Sequence, residues 1–198
     1  MKKILFLFLA ACFFFSCEKE TIVIPQQHAG RTVLAFFWAD NSLNSSLRNN
    51  IQTMMQGLQA MKDSAALLVY WDGEASDISW PEPCIVEYVT NGQGGINSLS
   101  KGTIDAMMAD KNTSIYDLIG IGNIRKKYPP QTSTEKTVMQ TVIGDMMSAY
   151  PSESYGIIFG SHGSGWLPTI TGTRSIGQDG GRYSSDTALI PELAEVLR

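Results

Sequence analysis

Two unbroken apolar runs constrain this chain most: Thr-Val-Leu-Ala-Phe-Phe-Trp at residues 32–38 and Ala-Ala-Leu-Leu-Val-Tyr-Trp at residues 65–71. A strand with one wet face alternates apolar and polar residues. A run with no alternation must be covered on both sides, as in a parallel sheet sandwiched between helices. Between the runs, Leu43, Leu47, Ile51, Met54, Met55, Leu58 and Met61 recur at helical spacing and predict a helix over residues 42–62 with one buried face. Asp40, Asn41 and Ser42 stand where its N-cap belongs. Strand, helix and strand at this spacing form a βαβ unit with a right-handed crossover. The methionines read as core filling.

A shorter third strand is expected over residues 84–89, after Pro81 and Pro83, with Cys84 a small buried hydrophobe at its start. Residues 98–109 carry weak helical spacing, and residues 112–127 fit helix or strand equally well until Pro129-Pro130 ends them. Ser133 or Thr134 then caps a helix through Ala149 that turns Val138, Val142, Met146 and Ala149 inward. A buried strand starts at Tyr155. The Gly-, Ser- and Thr-rich residues 167–186 leave room for a short hairpin, and Ile190-Pro191-Glu192 opens a last helix with proline in its first turn. No strand follows in the sequence as given. The expected fold is α/β, with a mostly parallel sheet that is incomplete at the C-terminus and open along one apolar edge.

The first residues have a different character. Met1-Lys2-Lys3 is a short basic segment, and residues 4–15 are almost wholly apolar, the length of a signal-peptide core and too short to span a bilayer. Cys12 and Cys17 sit at its end. The pattern resembles a bacterial lipoprotein signal, in which a cysteine is lipidated and becomes the new N-terminus. Leu9-Ala10-Ala11-Cys12 matches the small-residue pattern better, but Ser16-Cys17 precedes Glu18-Lys19-Glu20, which puts the switch in polarity where cleavage belongs. Cys17 is therefore the expected lipidation site over Cys12, with an ordinary secretory peptide as the alternative. The expected domains are residues 1–17 as signal and anchor, 18–31 as tether and 32–198 as the folded part, placed outside the cytoplasm in a bacterial cell envelope. Only Cys84 is left in the folded part, which rules out an internal disulfide. The net charge of −4 argues against a nucleic-acid partner.

Chemistry concentrates in Tyr-Gly-Ile-Ile-Phe-Gly-Ser-His-Gly-Ser-Gly-Trp, residues 155–166. An apolar strand runs into a Gly-rich polar turn, so His162 arrives at the carboxyl end of a sheet strand, where open α/β sheets bind ligands. Gly160, Gly163 and Gly165 let a substrate backbone come close. A histidine so placed suits a general base. A loop histidine among turn glycines fits the same residues. His28, the other histidine, lies in the tether and reads as solvated.

Three stretches together resemble the clostripain family of cysteine peptidases. Residues 32–43, ending Trp38-Ala39-Asp40-Asn41-Ser42-Leu43, look like its opening strand and Asp-Asn turn. Residues 155–166 look like its histidine strand, with His-Gly-Ser-Gly-Trp in register. Ile176-Gly177-Gln178-Asp179-Gly180 and Ile190-Pro191-Glu192-Leu193 resemble the loop and helix that follow. The resemblance implies a caspase-like α/β/α sandwich and a Cys–His dyad that cleaves peptide or protein substrates after a basic residue. It makes His162 the histidine of the dyad and the Gly163 N–H part of the oxyanion hole. It allows Asp179 in the specificity pocket, where a carboxylate would pair with the substrate cation, and a calcium requirement. It also demands a nucleophilic cysteine some tens of residues after the histidine, and none follows His162 here. Cys84 precedes it, on the wrong strand. As written, these residues are expected to be inert as a peptidase.

Two other readings fit parts of the pattern. A surface lipoprotein could keep the fold for binding alone. His-Gly-Ser-Gly also occurs in lipase and esterase oxyanion loops, but those need a later Gly-x-Ser-x-Gly elbow, which this sequence lacks. There is no phosphate loop and no Cys-x-x-Cys, so nucleotide and zinc roles find no support.

Overall fold

The computed structural model describes residues 30–73, 82–90, 92–110, 112–163, 175–179 and 186–197. Cys17 and His28 therefore lie outside the described residues. A five-stranded sheet in the order β4-β3-β2-β1-β5 forms the centre. Strands β1 (Arg31–Trp38) and β2 (Ala65–Asp72) are the two apolar runs, paired in parallel from Arg31↔Ala65 to Trp38↔Asp72. Strand β5 (Tyr155–Gly160) adds in parallel to the other side of β1. Strands β3 (Cys84–Val89) and β4 (Asn123–Lys127) extend the β2 side antiparallel. The parallel core β2-β1-β5 aligns three strand ends on one edge.

Helices cover both faces, as the unbroken runs required. On one face, α1 (Asn44–Ala60) lays Leu47, Ile51, Met55 and Leu58 over Phe37, Val69 and Trp71, joined by α2 (Lys101–Ala109) and α3 (Ile115–Ile121). On the other, α4 (Lys136–Ala149) packs Met139, Val142, Ile143 and Met146 against Leu34, Phe36, Trp38 and Tyr70, with α5 (Ile190–Val196) beside it. The two faces of β1 thus feed two separate cores. The ambiguous residues 112–127 are both things in turn. Ser114 and Asp117 close a capping box that starts α3, and Gly122 lies so near Val86 and Tyr88 that only a glycine fits before β4. Among the described residues no helix is long and apolar enough to cross a membrane.

Several expectations need correction. Helix α1 starts at Asn44 with Leu43 as N-cap and no side-chain cap bond, because the polar residues before it are engaged elsewhere. Helix α4 is capped by neither Ser133 nor Thr134. Ser133 is buried against the Tyr70 hydroxyl, 2.6 Å away, and the helix begins after Glu135. Its buried face is rotated accordingly, so that Met139 and Ile143 are covered while Val138 and Ala149 are only half-buried. Strand β5 is not fully buried. It is an edge strand of the sheet, α1 covers β1 and β2 rather than β5, and Ile158 remains 44% exposed.

Candidate active site

Because Phe37 stands beside Gly160 in register, the turns that leave β1 and β5 are neighbours. The first is Ala39-Asp40-Asn41-Ser42 and the second is Ser161-His162-Gly163. Asn41 ties them together. Its Nδ2 donates to the Trp38 carbonyl at 2.7 Å and to Ser161 Oγ at 3.3 Å, while its Oδ1 accepts from Leu43 N–H at 2.9 Å. One residue on, Ser42 Oγ lies 2.9 Å from His162 Nε2. That leaves Nδ1 as the ring nitrogen with no hydrogen bond among the described residues. His162 is half-buried, at the carboxyl edge of the sheet.

A hairpin of β6 (Ser175–Asp179) and β7 (Asp186–Leu189) closes the other side, where the sequence left room for one. Gly177 N–H donates to the His162 carbonyl at 3.0 Å, and Gly163 pairs with Ile176 in an isolated antiparallel bridge. This pairing leaves the Gly163 N–H without an acceptor among the described residues. Gly177 has φ +84° and lies flat on the Trp38 indole, where a Cβ would come within 3.1 Å of ring carbons. Glycine is required there on both counts. Trp38 itself stacks on Phe159 with ring centroids 5.7 Å apart. The end of β1 is therefore the floor of the hairpin. The hairpin also brings the Asp179 backbone to this edge, at the end of β6 and opposite Asp186. Asp179 is the last residue of β6.

Cys84 is not brought to the histidine. It pairs with Trp71 on β3, so it shares the sheet edge but sits three strand positions from β5, roughly 14 Å in the pairing direction. It is buried, and desolvation pushes its thiol up to about 12, with Lys127 acting against the rise and Asp72 and Glu82 adding to it. A thiol so held is not a nucleophile at neutral pH. Among the described residues no group of three or more His, Cys, Asp or Glu could hold a metal.

The sequence singled out His162 and Gly163 as candidates but gave Asn41 and Ser42 no role beyond a helix cap and a family-like turn, whereas the structure sets them against Ser161 and His162. Their cue was available: three polar residues directly after a buried parallel strand sit at the edge where such sheets bind ligands.

The sequence model of the clostripain family matches residues 35–198, and the chain belongs to that family of cysteine peptidases. Solved structures agree. A secreted C11 cysteine protease from Bacteroides thetaiotaomicron, solved with an irreversible peptide inhibitor, is 25% identical with a TM-score of 0.59 over 85% of this chain and 39% of its own. A clostripain from Bacteroides thetaiotaomicron, also solved with a peptide inhibitor, shares the fold at 16% identity and a TM-score of 0.50, covering 73% of this chain and 99% of that one. This chain thus spans about two fifths of the first relative's length. No curated protein sequence matches it. Family membership sets aside the esterase alternative.

Proposed function

We propose that this chain supplies the histidine half of a secreted, lipid-anchored endopeptidase that cleaves after basic residues through a Cys–His dyad. The observation that carries this reading is the placement of His162. It stands at the carboxyl edge of β5, and neither its Nδ1 nor the neighbouring Gly163 N–H has a hydrogen-bond partner among the described residues. In the reaction, Nδ1 takes the thiol proton, the thiolate attacks the scissile carbonyl, and the imidazolium returns the proton to the leaving amine. The Gly163 N–H meets the oxyanion, and such a fixed donor in a dry site is worth of order 3 kcal/mol. The thiol comes from sequence beyond these residues, on the open side of β5. Cys17 carries the lipid, and Asp179 contributes charge to the pocket for the basic side chain. The peptide inhibitor bound to the 25%-identical relative supports a peptide substrate.

The test is labelling of the polypeptide encoded by the complete reading frame with a lysyl or arginyl chloromethylketone. Modification of a cysteine downstream of residue 198, lost in His162→Ala, is the expected result. No labelling would favour a second reading, a surface lipoprotein that uses the fold for binding.

A further inference from the structure

We propose that Ser42 is a positioning residue for His162, with its hydroxyl accepting a hydrogen bond from Nε2–H and so keeping the Nδ1 lone pair free. The inference gives detail to the dyad reading and rests on it for its purpose. Its physical content is the state of one imidazole.

Three observations converge on it. First, the 2.9 Å contact engages Nε2, so the oxygen decides which nitrogen is left for proton transfer. The ring has two neutral tautomers, and the partner of one nitrogen selects between them. Second, Ser42 is held in place by backbone and not by its own side chain. Asn41 fixes the turn through Trp38, Ser161 and Leu43, and Asn44 Nδ2 donates to the Ala39 carbonyl at 3.1 Å. From the far side the His162 carbonyl is held by Gly177 N–H. The imidazole therefore approaches a hydroxyl whose position is set independently of it. Third, α1 begins without a side-chain cap although Ser42 immediately precedes its N-cap, Leu43. Serine is among the best capping residues, and forgoing a cap weakens a helix. A local rule set aside beside a candidate site is what a competing functional demand produces.

The choice of a hydroxyl has a consequence. A carboxylate at this position would favour the imidazolium permanently. A neutral oxygen accepts from Nε2–H in both the neutral and the protonated ring, so it orients the base without fixing its charge. Ser42 is exposed, so its own O–H can donate a hydrogen bond to water.

The measurement uses the full 198-residue chain labelled with ¹⁵N-histidine, whose two histidines are told apart with a His162→Gln variant. Ring ¹H–¹⁵N correlations give the tautomer ratio and the exchange rate of the ring N–H. The parent should show His162 as the Nε2–H form with a protected proton. Ser42→Ala should lower the ratio and speed exchange by about fivefold each, the scale of one neutral hydrogen bond, and Ser42→Thr should restore both. The backbone resonances of β1 and β5 should not move in either variant. A parent dominated by the Nδ1–H form, or a Ser42→Ala variant with unchanged ratio and exchange, overturns the proposal. Chloromethylketone labelling reports on the peptidase reading separately, so each can fail without the other.

Discussion

Adding one methyl group at Gly160 should be felt directly in the packing beneath the histidine turn. A Cβ built there lies 2.6 Å from Phe37 Cδ1, 2.7 Å from Phe37 Cε1 and 2.7 Å from Leu47 Cδ2. Ordinary carbon contacts are about 3.5–4.0 Å, so three atoms must each retreat by about 1 Å. They have little room to do so. Phe37 is 1% exposed and Leu47 3%, each locked between β1 and α1. Overpacking of this kind costs about 1–3 kcal/mol, against which the stiffer unfolded chain returns about 0.4–1 kcal/mol. The net expectation for Gly160→Ala is a loss of about 1–2 kcal/mol. Gly156 provides the control, four residues earlier on the same strand, where a Cβ meets nothing within 4 Å. Gly156→Ala should be neutral or slightly stabilising. Urea unfolding followed by tryptophan fluorescence separates the two. With slopes of about 1–3 kcal/mol per molar urea, the Gly160→Ala midpoint should fall by about 1 M while that of Gly156→Ala holds or rises. Equal midpoints for the two variants would refute the packing argument.

Other perturbations test other parts of the structure. Glu87 is fully buried and held by Arg125 in a two-pronged ion pair at 2.6 and 2.7 Å, so Arg125→Ala should cost about 3 kcal/mol in thermal or urea unfolding, toward the low end for a buried pair because Arg125 is itself partly exposed. Replacing both partners by apolar residues should recover much of that loss, and a double variant as unstable as Arg125→Ala would count against a desolvated carboxylate as the cause. Cys84 should resist iodoacetamide at pH 8 until the chain is unfolded. Because its thiol is raised to about 12 from an ordinary value of 9.0, the stability it lends is complete below pH 9 and is lost as pH climbs toward 12. Cys84→Ser should flatten that part of the stability–pH curve, and an unchanged curve would sink the assignment. Ile158→Lys, on the open face of the edge strand, should raise the soluble, monodisperse yield of the 198-residue chain by size-exclusion chromatography, since an edge lysine blocks strand-to-strand association. A parent already monodisperse would remove the basis for this expectation.

Much of the fold is determined locally and is therefore readable from the sequence. Residues 32–38 and 65–71 are almost wholly apolar with no alternation, so they must be central strands, and the methionine- and leucine-studded helix between them can only cross over one face. The strand that leads to Ser161-His162-Gly163 is also legible from its apolar residues, although it lies at the sheet edge and is not covered on both faces. What the sequence leaves open is decided by partners far away along the chain. Residues 123–127 become a strand because β3 accepts them as a neighbour, whereas the helix before them follows from the local pair Ser114 and Asp117. Ser133 leaves its cap position for the Tyr70 hydroxyl. Asn41 and Ser42, each suited to start a helix, instead meet Ser161 and His162 some 120 positions on. Their local propensities allow either use, and only the parallel pairing of β1 with β5, which sets the two turns side by side, makes the distant hydrogen bonds available and lets them win.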